Sequence, residues 1–307
     1  MTMDQTGQTK ASRLRELLST RTLAIPGAFN ALVAMQIEKA GFEVVYVSGA
    51  AVSACRGVPD IGLITLGEMA AEAGRIAKAV SIPVIVDADT GYGGPSEVAE
   101  AVRVFEEAGL AGMQIEDQEA AKKCGHLSGK HLVPVGDMAA KIEAAARAKR
   151  DRDFMIVART DARAVEGLEA AVQRAAAYIE AGADALFPEA LESAEEFRIF
   201  ARHMRTRGVV VPLIANMTEF GKTPLLSVAE FERLGYRGVL FPVTALRTAL
   251  QAVDRLLAEL KLFGSQKDWL HHMMTRQELY RLLRYSDVQE QREGKIHEHG
   301  HDRVSQE

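Results

Sequence analysis

Five consecutive residues, Lys122-Lys123-Cys124-Gly125-His126, place a thiol among basic side chains on a polar stretch with little apolar cover. A purely structural cysteine favours apolar surroundings. One flanked by Lys and His has its thiolate stabilised, and it can trade a proton or attack near neutral pH. The stretch follows an apolar run that ends in Gln114-Ile115-Glu116-Asp117, and an earlier run ends in Asp87-Ala88-Asp89. Carboxylates at the ends of two such runs, beside an activated thiol, point to a metal-assisted enzyme. Asp87, Asp89 and Glu116 offer hard oxygens of the kind that hold Mg²⁺ or Mn²⁺ with waters kept in the shell. No HExxH or paired-Cys pattern favours zinc. The alternative is a structural network in which these acids pair with Arg159 and Lys123.

Other polar residues extend the set. Arg159 and Asn216 bind carboxylates, Arg through its two-pronged fork. Ser48 and Gly49 present a hydroxyl and backbone N–H groups to an anion at a strand-to-loop turn. Together they suit a small, multiply charged acid. Gly91-Tyr92-Gly93-Gly94 reads as a tight turn rather than a phosphate loop. Cys55, beside Arg56 and Gly57, is read as non-catalytic. His297, His299 and His301 are read as a solvated terminus rather than a metal site.

These groups must be held by something, and the rest of the chain shows what. Eight short apolar runs recur: Leu23–Pro26, Val44–Val47, Val84–Asp87, Gly112–Glu116, Met155–Arg159, Ala185–Pro188, Pro212–Asn216 and Gly238–Phe241. Continuous apolar runs of this length fit parallel strands covered on both faces. Between them lie Ala-rich helical stretches such as Ser96–Ala108 and Leu168–Ala181. Ala-Gly pairs at Ala40-Gly41, Ala108-Gly109 and Ala181-Gly182 close helices with a residue able to turn left-handed. Strand and helix alternating in this way read as a (β/α)₈ TIM-type barrel of the α/β class. The competing doubly wound sheet lacks a Gly-rich dinucleotide fingerprint after the first strand. Barrel active sites lie at the C-terminal strand ends. The polar tips there (Ser48, Asp87, Asp89, Glu116, Asp117, Arg159, Asp161, Glu189, Asn216 and Thr218) converge on one mouth.

The bulk properties set limits. The chain has 307 residues with 48% hydrophobic and 26% charged, ordinary values for a globular protein. A net charge of −5 leaves no basic footprint for nucleic acid. Two cysteines make no disulfide framework. No apolar run reaches the roughly 18–20 residues that span a bilayer, and no secretory signal is visible. The expectation is a cytoplasmic protein with no membrane or nucleic-acid partner. Residues 1–10 are expected to be a flexible N-terminus and 11–288 a single barrel domain. That domain includes extra C-terminal helices from about Thr244 to Arg284. Residues 289–307 are expected to be a disordered tail.

The ordered motifs resemble the isocitrate lyase / phosphoenolpyruvate mutase superfamily. The Lys-Lys-Cys-Gly-His run at 122–126 resembles its signature. Val86-Asp87-Ala88-Asp89-Thr90-Gly91-Tyr92-Gly93, Gln114-Ile115-Glu116-Asp117-Gln118 and Val157-Ala158-Arg159-Thr160-Asp161-Ala162 resemble its metal-site strands. Tyr46–Ala51, Phe187–Ala190, Asn216–Gly221, Phe241–Arg247 and Thr275–Tyr280 extend the likeness over roughly residues 10–285. The resemblance implies a Mg²⁺-dependent carbon–carbon lyase that splits 2-methylisocitrate, a small tricarboxylate, into pyruvate and succinate during propionate breakdown. It implies a homotetramer whose C-terminal helices are exchanged between subunits. It assigns the metal region to Asp87, with Asp60, Asp89 and Glu116 acting through waters. Substrate contacts fall on Ser48, Gly49, Ala50, Cys124, Gly125, His126, Arg159, Glu189, Asn216, Thr218, Arg247 and Arg276. Cys124 is the implied catalytic acid, with Tyr46, Glu116 and His126 as further catalytic groups and Tyr46 the first candidate for the base at the substrate hydroxyl. Isocitrate and 2,3-dimethylmalate are the neighbouring substrates, and a non-enzymatic binding barrel is the remote alternative. Isocitrate lyases are longer and carry a Trp after Ser-Gly where this chain has Ala50, which leaves room for an added methyl.

Overall fold

In a computed structural model that describes residues 7–123, 125 and 129–285, the apolar runs form parallel strands, and helices fill the intervals. The order begins α1 (Lys10–Thr20), β1 (Leu23–Pro26), α2 (Ala31–Lys39), β2 (Val45–Val47), α3 (Gly49–Cys55), α4 (Leu66–Ala79) and β3 (Val84–Asp87). It continues with α5 (Pro95–Glu107), β4 (Gly112–Glu116), α6 (Val135–Ala148), β5 (Met155–Thr160), α7 (Ala162–Val165), α8 (Leu168–Glu180) and β6 (Ala185–Pro188). It finishes with α9 (Ala194–Thr206), β7 (Ile214–Asn216), α10 (Val228–Leu234), β8 (Gly238–Phe241), α11 (Thr244–Phe263) and α12 (Arg276–Leu282). The expected helix stops are present: Gly41, Gly109 and Gly182 take φ of +88°, +87° and +104°. β7 begins at Ile214 rather than at Pro212, whose ring nitrogen has no hydrogen to give a ladder.

Two parallel ladders, β2-β3-β4-β5-β6 and β7-β8-β1, are joined at both seams by single parallel bridges, Gly27 with Tyr46 and Leu186 with Leu213. The sheet therefore closes on itself as the expected (β/α)₈ barrel. Closure needs a close approach at Gly27, where a Cβ would lie 1.9 Å from the Pro242 carbonyl oxygen.

Alternation along the strands explains the site. Inward positions near the strand starts are apolar: Leu23, Ile25, Val44, Ile85, Met155, Val157, Ala185 and Ile214 pack with Leu14, Leu17 and Leu18 of α1. That helix is thereby fastened to the barrel's interior core. Thr9 caps it, and Lys10 Nζ donates to the carbonyls of Ala77 and Val80 at 2.6 and 2.7 Å, so the end of the expected flexible arm is anchored. Residues 1–6 lie outside the described residues. One or two inward steps further along each strand the lane turns polar, at Ser48, Asp87, Gln114, Glu116, Arg159, Glu189 and Asn216. Outward positions such as Val45, Val84, Val86, Met113, Ile156 and Leu186 join helix residues in the larger core.

The chain divides into two compact units, Met1–Thr248 and Ala249–Glu307. The first is the barrel. Among its described residues the second holds the remainder of α11, a 3₁₀ turn at Lys267–His272 and α12, whose N-cap Thr275 exchanges capping-box hydrogen bonds with Glu278. Its Leu257, Leu262, Phe263, Leu270 and Tyr285 are exposed. The expected tail, 289–307, lies outside the described residues. No helix among the described residues is long and apolar enough to cross a membrane.

Candidate active site

The polar strand tips line an open pocket whose empty space, counting the solvent at its mouth, is about 620 Å³. Tyr46, Ser48, Ala50, Asp60, Asp87, Glu116, Gly125, Arg159, Glu189, Asn216, Thr218 and Arg247 all line it, as the sequence anticipates. Lys122, Lys123, Phe187, Leu240, Pro242 and Val243 complete the wall. Asp89 and Gly49 stand just behind it. Cys124 and His126 lie outside the described residues. Arg276 opens α12 in the second unit.

Arg159 is the centre of one ion network. Register places it opposite Glu116 on β4, and Nη1 lies 3.2 Å from Glu116 Oε2 and 3.4 Å from Glu189 Oε2. Its Nε and Nη2 fork onto Asp161 at 2.9 and 3.1 Å. Burial opposes its charge, yet Asp161, Glu116 and Glu189 together hold the guanidinium firmly protonated. The ring of Phe187 supports it from 5.4 Å. Asn216 Nδ2 donates to Glu189 Oε2 at 3.1 Å. Glycine at 125 is obligatory here: a Cβ would meet Arg159 Nη2 at 2.4 Å and Glu189 Cγ at 2.6 Å. Lys130, buried, donates to the Gly125 carbonyl and lies 2.6 Å from Asp161 Oδ1, which ties the Cys-bearing segment to the same network.

A second network holds the remaining acids. Lys122 Nζ lies 2.6 Å from Asp60 Oδ1 and 2.5 Å from Asp89 Oδ1. The sequence reading treats Lys122 as a cation flanking the thiol, but its ammonium is buried and committed to carboxylates. Lys123 instead donates to the Gly129 carbonyl at 2.8 Å. The acids thus pair with Arg159 and Lys122 rather than with Arg159 and Lys123. Asp87 accepts amide hydrogens from Gly49 and Asp89 at 3.0 and 3.1 Å. The Gly49 amide is therefore spent on a carboxylate and is not free for an anion, a correction to its expected role. Asp89 adopts φ +47°, a left-handed turn tolerated by Asp, which swings its carboxylate toward Lys122.

The acids Asp60, Asp87, Asp89, Glu116, Asp161 and Glu189 outnumber the cations Lys122, Lys123, Lys130, Arg159 and Arg247 by one. Burial, and then Asp87, push Asp89 up to about 6. Burial also raises Glu116 well above the ordinary carboxylate range, and its Oε1 is buried without a hydrogen-bond partner among the described residues. A mouth so arranged favours an added cation. No group of three or more His, Cys, Asp or Glu among the described residues encloses a ready ion cage.

Tyr46 needs a second correction. Its Oη donates to Gln114 Oε1 at 2.7 Å, and burial followed by the charge of Asp87 raises its pKa well above normal. It lines the cavity as a neutral phenol, unsuited to removing a proton. Gln114, Lys130 and Phe187 escape the sequence reading as site residues. Gln114 and Phe187 are nevertheless marked by alternation, each two residues before an inward acid, Glu116 and Glu189.

Behind the wall, Asp117 accepts from Thr160 Oγ1 at 2.7 Å, Tyr178 Oη at 2.8 Å and the Asp161 amide at 2.9 Å. This fixes the β4 and β5 tips against α8. Cys55 is an exposed free thiol outside the cavity lining.

The phosphoenolpyruvate phosphomutase family profile matches residues 14–261. The chain is 50% identical over 280 residues, 91% of each chain, to a 2-methylisocitrate lyase of Bacillus subtilis (strain 168). Its fold superposes on 2,3-dimethylmalate lyase, a member of the PEP mutase/isocitrate lyase superfamily, with TM-score 0.84, 37% identity and coverage of 92% and 94%. It also superposes on a phosphonopyruvate hydrolase complexed with oxalate and Mg²⁺, with TM-score 0.83, 31% identity and coverage of 92% and 97%.

Proposed function

The chain belongs to the phosphoenolpyruvate phosphomutase family, and from that premise we propose that it is a carbon–carbon lyase splitting 2-methylisocitrate into pyruvate and succinate. One observation carries the reading. The buried acid cluster and Arg159 line the same cavity as Gly125, the neighbour of Cys124 in the chain. Half-identity to a lyase of that substrate across nine-tenths of both chains supports the choice of acid. Propionate breakdown is the route this reading implies.

In the reaction the C2–C3 bond breaks. Its electron pair stays on C3 beside a carboxylate, the C2 hydroxyl loses its proton, and C2 becomes the ketone carbon of pyruvate. Arg159, Asn216, Thr218 and Arg247 bind the substrate carboxylates and stabilise charge gathering on the departing half. Ser48, Gly125 and His126 complete the proposed contacts. The Cys124 thiol gives its proton to C3, which makes succinate and leaves a thiolate to be reprotonated before the next cycle. Lys122, Lys123 and Gly125, which line the cavity, help to keep water from the carbanion. The base at the C2 hydroxyl is not Tyr46 in its observed state. Glu116, a carboxylate in the same cavity wall, takes that proton.

The residues fit Mg²⁺, with Asp87 as the principal holder and Asp60, Asp89 and Glu116 acting through water. The unpartnered Oε1 of Glu116 and the all-oxygen donor set support this. Mn²⁺ would satisfy the same donors. When bound, the ion polarises substrate oxygens as a Lewis acid.

The exposed apolar side chains of the second unit support a further part of the proposal, a homotetramer in which the C-terminal helices cover a neighbouring copy. Light scattering that finds a monomer at micromolar concentration would remove it.

The function is tested by incubating the protein with Mg²⁺ and, separately, 2-methylisocitrate, isocitrate and 2,3-dimethylmalate. Pyruvate and succinate from the first acid, with little glyoxylate from the second, is the expected result. Preferred cleavage of dimethylmalate would move the chain to the activity of its structural relative. No 2-oxo acid from any of them would favour a binding barrel.

A further inference from the structure

Of the cations in the cavity wall, Arg247 is the least committed. Lys122 lies within 2.6 Å of two carboxylates, and Arg159 is shared among Asp161, Glu116 and Glu189. Lys123 donates to the Gly129 carbonyl. The Arg247 side chain has one acidic neighbour among the described residues, Glu219, whose Oε2 lies 3.6 Å from Nε. That is an ion pair, too long for a hydrogen bond. A guanidinium carries five N–H groups in a rigid fork. Glu219 stands on the Nε side, so the edge formed by the two Nη groups remains for an arriving carboxylate. The Arg247 side chain is 47% exposed, and an unrestrained stem would sample many rotamers. Here it is restrained. Thr244 Oγ1 donates to Glu219 Oε1 and so fixes the carboxylate. Thr244 and Arg247 stand three residues apart on one face of α11. The Phe220 ring covers the guanidinium at 5.3 Å. Phe220 takes φ +60° and is 92% exposed. Neither backbone preference nor burial accounts for a phenylalanine there. Covering the guanidinium does.

We propose that Glu219 is a positioning residue, supported by Phe220: together they hold Arg247 so that its two Nη groups take one carboxylate of the substrate. The identity of that substrate rests on the lyase reading above. The ion pair does not have to break when the acid arrives, because the two carboxylates use different edges of the fork. Holding the guanidinium in advance removes the entropy cost of freezing a long side chain at each binding event.

The test is a double-mutant cycle of Glu219→Gln and Arg247→Met, read as kcat and KM separately on 2-methylisocitrate with saturating Mg²⁺. Glutamine keeps the shape and an oxygen for Thr244, but it turns an amide N–H toward Nε and leaves two donors facing each other. Glu219→Gln alone should lower kcat/KM about fivefold, mostly through KM. In the Arg247→Met background the same change should cost less than about 1.5-fold. Equal losses in both backgrounds would overturn the proposal, because a role in loop structure acts whether or not residue 247 is charged. A second measurement needs no variant. Crystals of wild-type protein with and without succinate should both show Arg247 Nε within about 4 Å of the Glu219 carboxylate. In the succinate crystals the two Nη groups should also meet a ligand carboxylate. Arg247 separated from Glu219, or succinate bound without Arg247, would overturn the proposal even if Glu219→Gln fails to fold. Absence of wild-type turnover would instead defeat the lyase reading, while the succinate crystals still report whether the held guanidinium takes a carboxylate.

Discussion

Lys122 and Asp89 meet at 2.5 Å, with the same ammonium 2.6 Å from Asp60. A lysine from the thiol-bearing segment thus neutralises two of the acids proposed to act around the metal. Against burial, Glu116, Asp87 and Asp89 hold Lys122 protonated. Removing it strands two carboxylates of which Asp89 is almost fully buried. Breaking such a pair costs about 3 kcal/mol. Lys122→Met should therefore lower the melting temperature of chelator-treated protein by about 4–6 °C. Added Mg²⁺ should restore more of that loss in the variant than it adds to wild type, because the acids are left without their own cation. Differential scanning calorimetry with and without Mg²⁺ reads both, and an unchanged melting temperature would show that the ammonium contributes nothing.

Gly125 is predicted to be intolerant of even one methyl group. A Cβ at this position falls 2.4 Å from Arg159 Nη2 and 2.6 Å from Glu189 Cγ, so either the guanidinium or the segment must move. Displacement of about 1 Å at a positioning residue costs about a hundredfold in rate. Gly125→Ala should lose that much in kcat/KM with its melting temperature within a few degrees of wild type. Full activity would mean that Arg159 does not need its observed position.

Much of this was legible in the sequence because inward and outward residues alternate. The apolar runs mark the strands, and the first polar residue at each tip marks the site, so Asp87, Glu116, Arg159, Glu189 and Asn216 are found together as expected. Pairing was less legible. Lys122 reads as a neighbour of Cys124 along the chain, yet its four-carbon stem carries the ammonium to Asp89, which no local pattern records. The Gly49 amide reads as an open donor, but whether it is open depends on the distance between β2 and β3. Tyr46 enters as the first candidate base only through the family resemblance. Only burial and its bond to Gln114 reveal a phenol that keeps its proton.

Asp87 should dominate metal affinity. Its carboxylate is oriented by two amides, from Gly49 and Asp89, so an Asn at this position keeps the shape and loses the charge. Substituting groups that merely orient a ligand commonly costs 10–100-fold in affinity, and loss of the ligand's charge should cost about a hundredfold or more. Isothermal titration of Asp87→Asn with Mg²⁺ checks this without reference to turnover. Wild-type affinity would move the metal to other residues.

Cys124 is assigned from its sequence context, and its test is chemical. Serine keeps the size and loses the acidity of the thiol. Proton delivery by a positioned side chain contributes about 10²–10⁴-fold, so Cys124→Ser should lose that much in kcat. Substrate and Mg²⁺ should still bind, as calorimetry would show. Near-normal turnover would remove the thiol from the reaction.

Ala50 offers the sharpest test of substrate choice. It follows Gly49 at the start of α3, lines the cavity, and packs beside Phe29 with Ala51, Val243 and Leu246. Ala50, Leu240, Pro242 and Val243 are among the apolar members of the cavity lining. A methyl on the substrate would be received by such residues, and a large ring at position 50 would fill the space. Excluding one methyl is worth about 1–3 kcal/mol, or 10–200-fold. Ala50→Trp should therefore reduce kcat/KM for 2-methylisocitrate by a factor in that range while isocitrate suffers less. The ratio of pyruvate to glyoxylate formed from an equimolar mixture of the two acids measures the shift directly. An unchanged ratio would place the discriminating contact elsewhere in the cavity lining.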